Sequence, residues 1–286
     1  MINQPLNPKT SRDIESYLSH PGQPICLVGS KWLNKADIAN NIAEGLLELD
    51  EGSLNKYPYI LSIGEDDATS ISIDQIREIN SFLSLKVPSK KTIRRVIIIN
   101  NADKMTTEAQ NALLKNLEEP PLDTIFILTT NSTSSLLETI ISRMHIVKVI
   151  KPDKDEITSY YLKQGYSPKD INQAYLISDG LNGLMDILLT DKDNPISQAA
   201  DQARKLLTSS SLDRLKLIND LSKNKAEIKN IMFIIKQMAK IGVASDDHKS
   251  SIKWQGILSA TLDSEKKLSA NVQTKLLLTD YMLSLT

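Results

Sequence analysis

Cysteine is nearly missing from this chain of 286 residues. Cys26 is its one thiol, so no disulfide can close within the chain and no cysteine-rich zinc site can be built. Histidine is almost as scarce. His20, His145 and His248 are far apart in sequence and form no metal-ligand pattern, so no metal is expected. Aromatic residues make up only 5%, and no ordered platform for stacking single-stranded bases is visible. The 10 glycines and 11 prolines argue against long flexible or low-complexity segments, and no internal repeat is found. No apolar run approaches the ~20 residues that a membrane span needs. The opening stretch MINQPLNPKTS holds no apolar signal core, which leads to the expectation of a cytoplasmic protein with no membrane partner.

What is present fits a soluble globular chain with room for two or three domains: 41% hydrophobic and 24% charged residues. The formal net charge of −1 excludes nucleic-acid binding through the charge of the whole chain. The charge is uneven, however. Residues 1–200 carry 20 Lys/Arg against 26 Asp/Glu, and residues 201–286 carry 14 against 9. The basic end, with Lys223, Lys225 and Lys229 close together, could face DNA phosphates or an acidic partner. A solvated helical surface accounts for so small an excess equally well.

Short apolar runs alternate with helical patterns up to residue 152. Residues 25–29 (ICLVG), 59–63 (YILSI), 96–99 (VIII), 125–130 (IFILTT) and 146–150 (IVKVI) read as strands. Residues 37–49, 73–85 and 107–119 read as helices between them. Unbroken apolar strands alternating with helices predict a parallel α/β sheet covered on both faces. In the helix at 107–119, Ala109, Ala112, Leu113 and Leu117 share one face, Thr107 with Gln110 reads as a capping box, and Pro120-Pro121 stops the helix. Strands cease after Lys151-Pro152. Residues 153–194 read as a small helical unit and residues 195–286 as helical throughout.

Several stretches carry chemistry. LVGSKWLNKADIA, residues 27–39, follows a strand and opens a helix, as a phosphate-binding loop does. Gly29 and Lys35 match the G-x-x-x-x-G-K-[ST] pattern, but Asn34 replaces its second glycine and Ala36 its metal-binding hydroxyl. Taken alone the match is weak, and Lys35 is equally an ordinary exposed lysine of a first helical turn. RVIIINNADKM, residues 95–105, ends a strand in Asn100-Asn101, where nucleotide hydrolases often place two acids. AQNALLKNLEEPP at 109–121, FILTTNS at 126–132 and Ser142-Arg143-Met144 follow.

Together these blocks resemble the AAA+ clamp-loader family, well over residues 12–150 and beyond that through DGLNGLMDIL at 179–188 and the domain layout. The resemblance implies a AAA+ domain at 1–152, a helical lid at 153–194 and a helical collar at 195–286. It implies a stator-type, non-hydrolysing subunit of the DNA polymerase III clamp loader. Its partners would be ATPase subunits of the gamma or tau type, a delta subunit, the sliding clamp and primed DNA.

The family's Ser-Arg-Cys motif reads Ser142-Arg143-Met144 here, which makes Arg143 the candidate arginine finger supplied to a neighbour, with Ser142 supporting it. A surface arginine capping or pairing near a helix end is the plainer reading. Asn131 stands where active relatives hold a polar sensor of the γ-phosphate, and is expected to be structural here. Gly183 lies near the place of their lid arginine. Glu118 and Glu119 are adjacent on a helix and point apart, so they form a poor acid–base pair. Asp103 reads as a turn residue. Amides at 100 and 101 are poor magnesium ligands and no general base. No cofactor is therefore expected, though Lys35 and its helix N-terminus leave residual ATP binding open. The zinc module of some relatives is absent, because residues 46–59 hold no cysteine. Two other readings stay open: an active ATPase of the superfamily with a divergent site, and a AAA+-derived scaffold outside replication.

Overall fold

The computed structural model describes residues 4–64, 69–88, 91–244, 247–270 and 272–285. The chain divides into two compact units, Met1–Glu156 and Ile157–Thr286.

The first unit is built on a five-stranded sheet in the order β2-β3-β4-β1-β5. The strands are β1 (Ile25–Val28), β2 (Ile60–Ile63), β3 (Arg95–Ile99), β4 (Thr124–Thr130) and β5 (His145–Lys148). All four pairings are parallel. The helices are α1 (Pro8–Ser19), α2 (Lys35–Leu47), α3 (Ile73–Leu83), α4 (Thr107–Glu118) and the short α5 (Glu138–Ile141). Alternate strand residues explain the layers. Cys26, Ile97, Ile99, Phe126 and Leu128 share a core with Ile76 and Ile79 of α3 and Ala109, Leu113 and Leu117 of α4. Their neighbours Ile25, Leu27, Val96, Ile98 and Ile127 are buried too, and α2 packs against β1, β3 and β4. The inner strands β1, β3 and β4 are buried almost throughout and so carry no polar alternation, whereas the edge strands β2 and β5 are partly exposed. Strand ends differ from the sequence expectation by one or two residues, because ladder pairing rather than hydrophobicity ends a strand.

The cap of α4 corrects the sequence reading. Thr106, not Thr107, is the N-cap, and its side chain accepts from the Ala109 amide. Gln110 is no capping partner. Buried against the following turn, it donates to the Met105 carbonyl (3.3 Å) and the Ser135 carbonyl (3.0 Å) and accepts from the Leu137 amide (2.8 Å).

The second unit is helical: α6 (Lys154–Lys163), α7 (Pro168–Ser178), α8 (Asn182–Thr190), α9 (Pro195–Thr208), α10 (Ser211–Leu221), α11 (Lys225–Val243), α12 (His248–Ser269) and α13 (Thr274–Ser284). α7 packs on α11 and α8 on α9, so helices on both sides of residue 194 share one core. Buried polar groups fix their neighbours. Tyr161 donates to Asp186 at 2.6 Å, Arg214 donates to the carbonyls of Leu206 (2.6 Å) and Met282 (3.3 Å), and the hydroxyls of Thr261 and Tyr281 meet at 3.0 Å. The basic excess is partly consumed in place. Lys216 pairs with Asp213, Lys223 with Asp220, Lys236 with Glu265 and Lys267 with Asp263. Lys225 and Lys229 are exposed. No helix among the described residues is long and apolar enough to cross a membrane.

α11 and α12 meet where Gly242 faces the ring of Trp254. A Cβ at 242 would overlap ring atoms Cγ, Cδ1 and Cδ2. Because Cγ itself is overlapped, turning the ring about χ2 gives no relief, and Trp254 must change its χ1 rotamer or its helix must shift. Gly242→Ala is therefore expected to cost about 1–3 kcal/mol through overpacking. Urea unfolding followed by circular dichroism should show a lower midpoint at unchanged slope.

Candidate functional site

Two groups of residues stand at opposite ends of the sheet. Gly29, Lys35, Asn100, Asn101 and Asn131 follow the carboxyl ends of β1, β3 and β4. Arg143 precedes β5, whose first residue, His145, pairs with Ile25 at the start of β1. Because the strands are parallel, β1 runs from the arginine's edge to the lysine's edge. Four residues of strand span about 13 Å.

At the carboxyl edge, β1 and β4 are neighbours, and the connections that leave them diverge, one towards β2 and the other towards β5. Ligands bind at such switch points in open α/β sheets. Gly29 is required for packing: a Cβ there would stand 2.6 Å from the Val149 carbonyl oxygen. Asn34 adopts the left-handed conformation (φ 45°, ψ 42°) just before α2. Asparagine is among the few residues that tolerate this, so the backbone takes a turn that glycine would otherwise make. Asn34 thus holds, without glycine, a backbone conformation that most residues avoid.

Lys35 departs from the expectation of an ordinary exposed lysine. It is 5% exposed, and its ammonium donates to the Ser30 carbonyl (2.7 Å) and to Oδ1 of Asn131 (3.1 Å). Asn131 in turn donates from Nδ2 to Asp103 Oδ2 (3.0 Å) and from its backbone amide to Asp103 Oδ1 (3.1 Å). Thr130 adds a hydroxyl to Asp103 Oδ1 at 3.2 Å. The Asn131 carboxamide thus links the two, accepting from the ammonium through Oδ1 and donating to the carboxylate through Nδ2. Asp103, read from sequence as a turn residue, is the anchor of this network. Nothing in its spacing marks that role, since its partners lie 27 and 28 residues away.

At the end of β3, the Asn100 amide donates to the Ile63 carbonyl at 2.8 Å. Asn101 is left-handed (φ 51°) and its amide donates to Thr129 Oγ1 at 3.0 Å. Thr129 also donates to Asn100 Oδ1 at 3.4 Å. The backbone amides are thus tied to β2 and β4 respectively, and neither position offers a carboxylate.

At the other edge, Arg143 follows α5. One guanidinium nitrogen donates to the Thr139 carbonyl (2.7 Å) and Ser142 Oγ (3.3 Å), and the other pairs with Glu118 at 2.8 Å. Glu119 is exposed beside it. Met144 is buried in the α3–α4 core and pins the segment.

In the helical unit Gly183 is buried in the first turn of α8. The loop at 46–59 is closed by Glu44, whose carboxylate accepts from the Gly52 amide at 2.8 Å and the Leu54 amide at 3.3 Å. Two histidines distant in sequence, His20 and His145, line one surface pocket beside Tyr17. Among the described residues no group of three or more His, Cys, Asp or Glu could hold a metal. Cys26 is buried in the sheet core, and burial pushes its thiol up to about 12, so it behaves as a small apolar side chain.

A parallel sheet flanked by helices, with a loop and helix following β1 and a helical unit following in the chain, is an α/β architecture of the doubly covered kind. One solved structure with this fold, a DNA polymerase III gamma subunit-related protein from Thermotoga maritima, superposes with a TM-score of 0.52 at 21% identity, covering 95% of this chain and 97% of its own. Residues 26–153 match the family model described as DNA polymerase III, delta subunit. The delta-prime subunit of Haemophilus influenzae DNA polymerase III is 33% identical over 128 residues, and that of Bacillus subtilis 29% over 146. These alignments cover 45% and 51% of this chain, and only 38% and 43% of the relatives. Residues 26–153 thus resemble the delta-prime subunits of DNA polymerase III, and the matched stretch spans less than half the length of these relatives.

Proposed function

We propose that this chain is a non-hydrolysing, stator-type subunit of a DNA polymerase III clamp loader. It assembles with gamma- or tau-type ATPase subunits and a delta subunit, and helps place the sliding clamp on primed DNA. In that assembly Arg143, backed by Ser142, serves as the finger for a neighbour's ATP site. The observation that carries the reading is the division of two cations between the ends of the sheet. Lys35 is buried and committed to Ser30 and Asn131 of its own chain. Arg143 stands half-exposed at the opposite edge, a sheet's length from the chain's own phosphate loop. An arginine so placed can meet a nucleotide only on another subunit.

Hydrolysis by the chain itself lacks its parts. Amides at 100 and 101 cannot activate water, and Ala36 offers no oxygen to magnesium. A phosphate entering the loop would have to take Lys35 from two acceptors already in place. The collar helices then serve to hold neighbouring subunits rather than DNA, since several of their lysines are neutralised locally.

The isolated chain is expected to show no ATP turnover above background. Lys35→Ala should leave nucleotide binding unchanged yet lower stability by about 1–3 kcal/mol, the cost of removing buried charged hydrogen bonds. A single-turnover assay with radiolabelled ATP, an equilibrium nucleotide-binding titration and thermal unfolding read the three outcomes. Turnover that Lys35→Ala abolishes would overturn the proposal in favour of an active ATPase with a divergent site.

A further inference from the structure

Glu118 is the last residue of α4, and its carboxylate touches the one side chain that the proposed function sends to another subunit. We infer that Glu118 is a positioning residue that parks Arg143 between engagements, and that a partner's phosphate must displace it. The inference rests on the finger reading of Arg143.

Three acceptors hold the guanidinium, and they are not equivalent. The Thr139 carbonyl and Ser142 Oγ belong to the same turn as Arg143 and travel with it. They fix the arginine's direction in any state. Glu118 comes from a different element, 25 residues away, and alone carries charge. It takes the second terminal nitrogen at 2.8 Å.

A guanidinium pairs best with a flat anion through both of its terminal nitrogens. Here one is occupied by neutral oxygens and the other by the carboxylate. A γ-phosphate approaching the fork would arrive beside a carboxylate of the same sign, and the two anions cannot share the same face of the fork without repulsion. The exchange is therefore a swap of one anion for another. It leaves the neutral contacts in place, so the arginine changes partner without losing its aim.

The exposure of the pair makes the swap easy. The side chains of Arg143 and Glu118 are 34% and 51% exposed. Ion pairs this wet hold weakly, so Glu118 can keep the finger ordered without trapping it. A buried carboxylate at this place would hold the arginine too firmly to be exchanged. The neighbouring Glu119 lies past the end of α4 in non-helical backbone (φ −130°, ψ 66°), and the arginine's carboxylate contact is to Glu118.

The test uses a loader assembled from the ATPase subunits of the same cell with this chain as wild type, Glu118→Gln, Glu118→Ala or Arg143→Ala. ATP hydrolysis is measured over a range of ATP concentrations, with and without clamp and primed DNA. Both Glu118 variants should lower the ATP concentration for half-maximal rate by about two- to fivefold, the range set by an exposed ion pair. The clamp-free basal rate should rise, and the maximal stimulated rate should hold. A merely structural role would instead lower the maximal rate or the yield of assembled loader. Half-saturation unchanged in both variants, or a fall in maximal rate alone, overturns the parking role while leaving the finger intact. An unchanged stimulated rate in Arg143→Ala removes the finger reading, and the parking role with it.

Discussion

A loader carrying Arg143→Ala is expected to lose roughly 10³-fold or more of ATP turnover at the site next to this subunit, the scale at which arginine fingers act in other nucleotide hydrolases. The effect follows from where charge develops. As the γ-phosphoryl group leaves, its equatorial oxygens need a donor that is already aimed, and an arginine fixed by Thr139 and Ser142 supplies one without reorganisation. Arg143→Lys should recover little, since a lysine keeps the charge but not the planar fork. The substitution should spare the fold. The arginine lies outside the apolar core, whereas Met144 and the Gln110–Leu137 tie that set the local backbone are untouched. Stimulated hydrolysis under single-turnover conditions, with assembly checked by gel filtration, distinguishes the outcomes. A full rate from an intact complex would reduce this chain to an architectural subunit.

The sequence carried the sheet well and the site only in outline, for physical reasons. Strands buried on both faces leave an uninterrupted apolar signature, and the helices between them carry theirs at 3.6-residue spacing. Helices of the second unit were legible one by one, but amphipathic periodicity does not say which helix covers which face. The packing of α7 on α11 and the Gly242–Trp254 contact had no visible signal. In the loop after β1 the motif marked Asn34 only as a missing glycine, and its left-handed backbone was not legible from the sequence. The weightier departure is one of side-chain partners: Lys35 committed to Asn131, and Asn131 to Asp103. Gln110 was misread because a side chain reaching 25 and 27 residues forward looks like any capping glutamine in a local window. The pairing of Glu118 with Arg143 was hidden in the same way.

The largest effect on stability is expected at the start of β3, away from the carboxyl edge of the sheet. Arg95 is 7% exposed, yet it carries a charge into the sheet. Its guanidinium meets Asp123 Oδ1 at 2.7 Å and the carbonyls of Leu83 and Leu85 at the end of α3. Arg94 takes the other carboxylate oxygen at 3.2 Å, and Thr124 donates to Oδ1 at 3.1 Å. One carboxylate thus ties β3, β4 and the segment after α3. Burial alone would raise the Asp123 carboxyl, but the Arg95 and Thr124 hydrogen bonds and the charges of both arginines outweigh it and hold it below the ordinary value of 3.8. A folded value below the unfolded one means that the carboxylate contributes its full stabilisation above pH ~4 and loses it as pH falls through the folded value. Arg95→Ala should cost about 3–5 kcal/mol at neutral pH, because it removes the buried partner of Asp123, leaving that carboxylate to Arg94 and Thr124, and it frees the Leu83 and Leu85 carbonyls at the strand end. Asp123→Asn should cost less at neutral pH, since it removes one charge and keeps the shape. Denaturant unfolding measured from pH 7 down to pH 3 separates the contributions. The gap between wild type and Asp123→Asn should be widest near neutrality and narrow below pH ~4. A gap that stays constant with pH would mean that the ion pair adds nothing beyond shape, and that the carbonyl contacts of Arg95 carry the strand end.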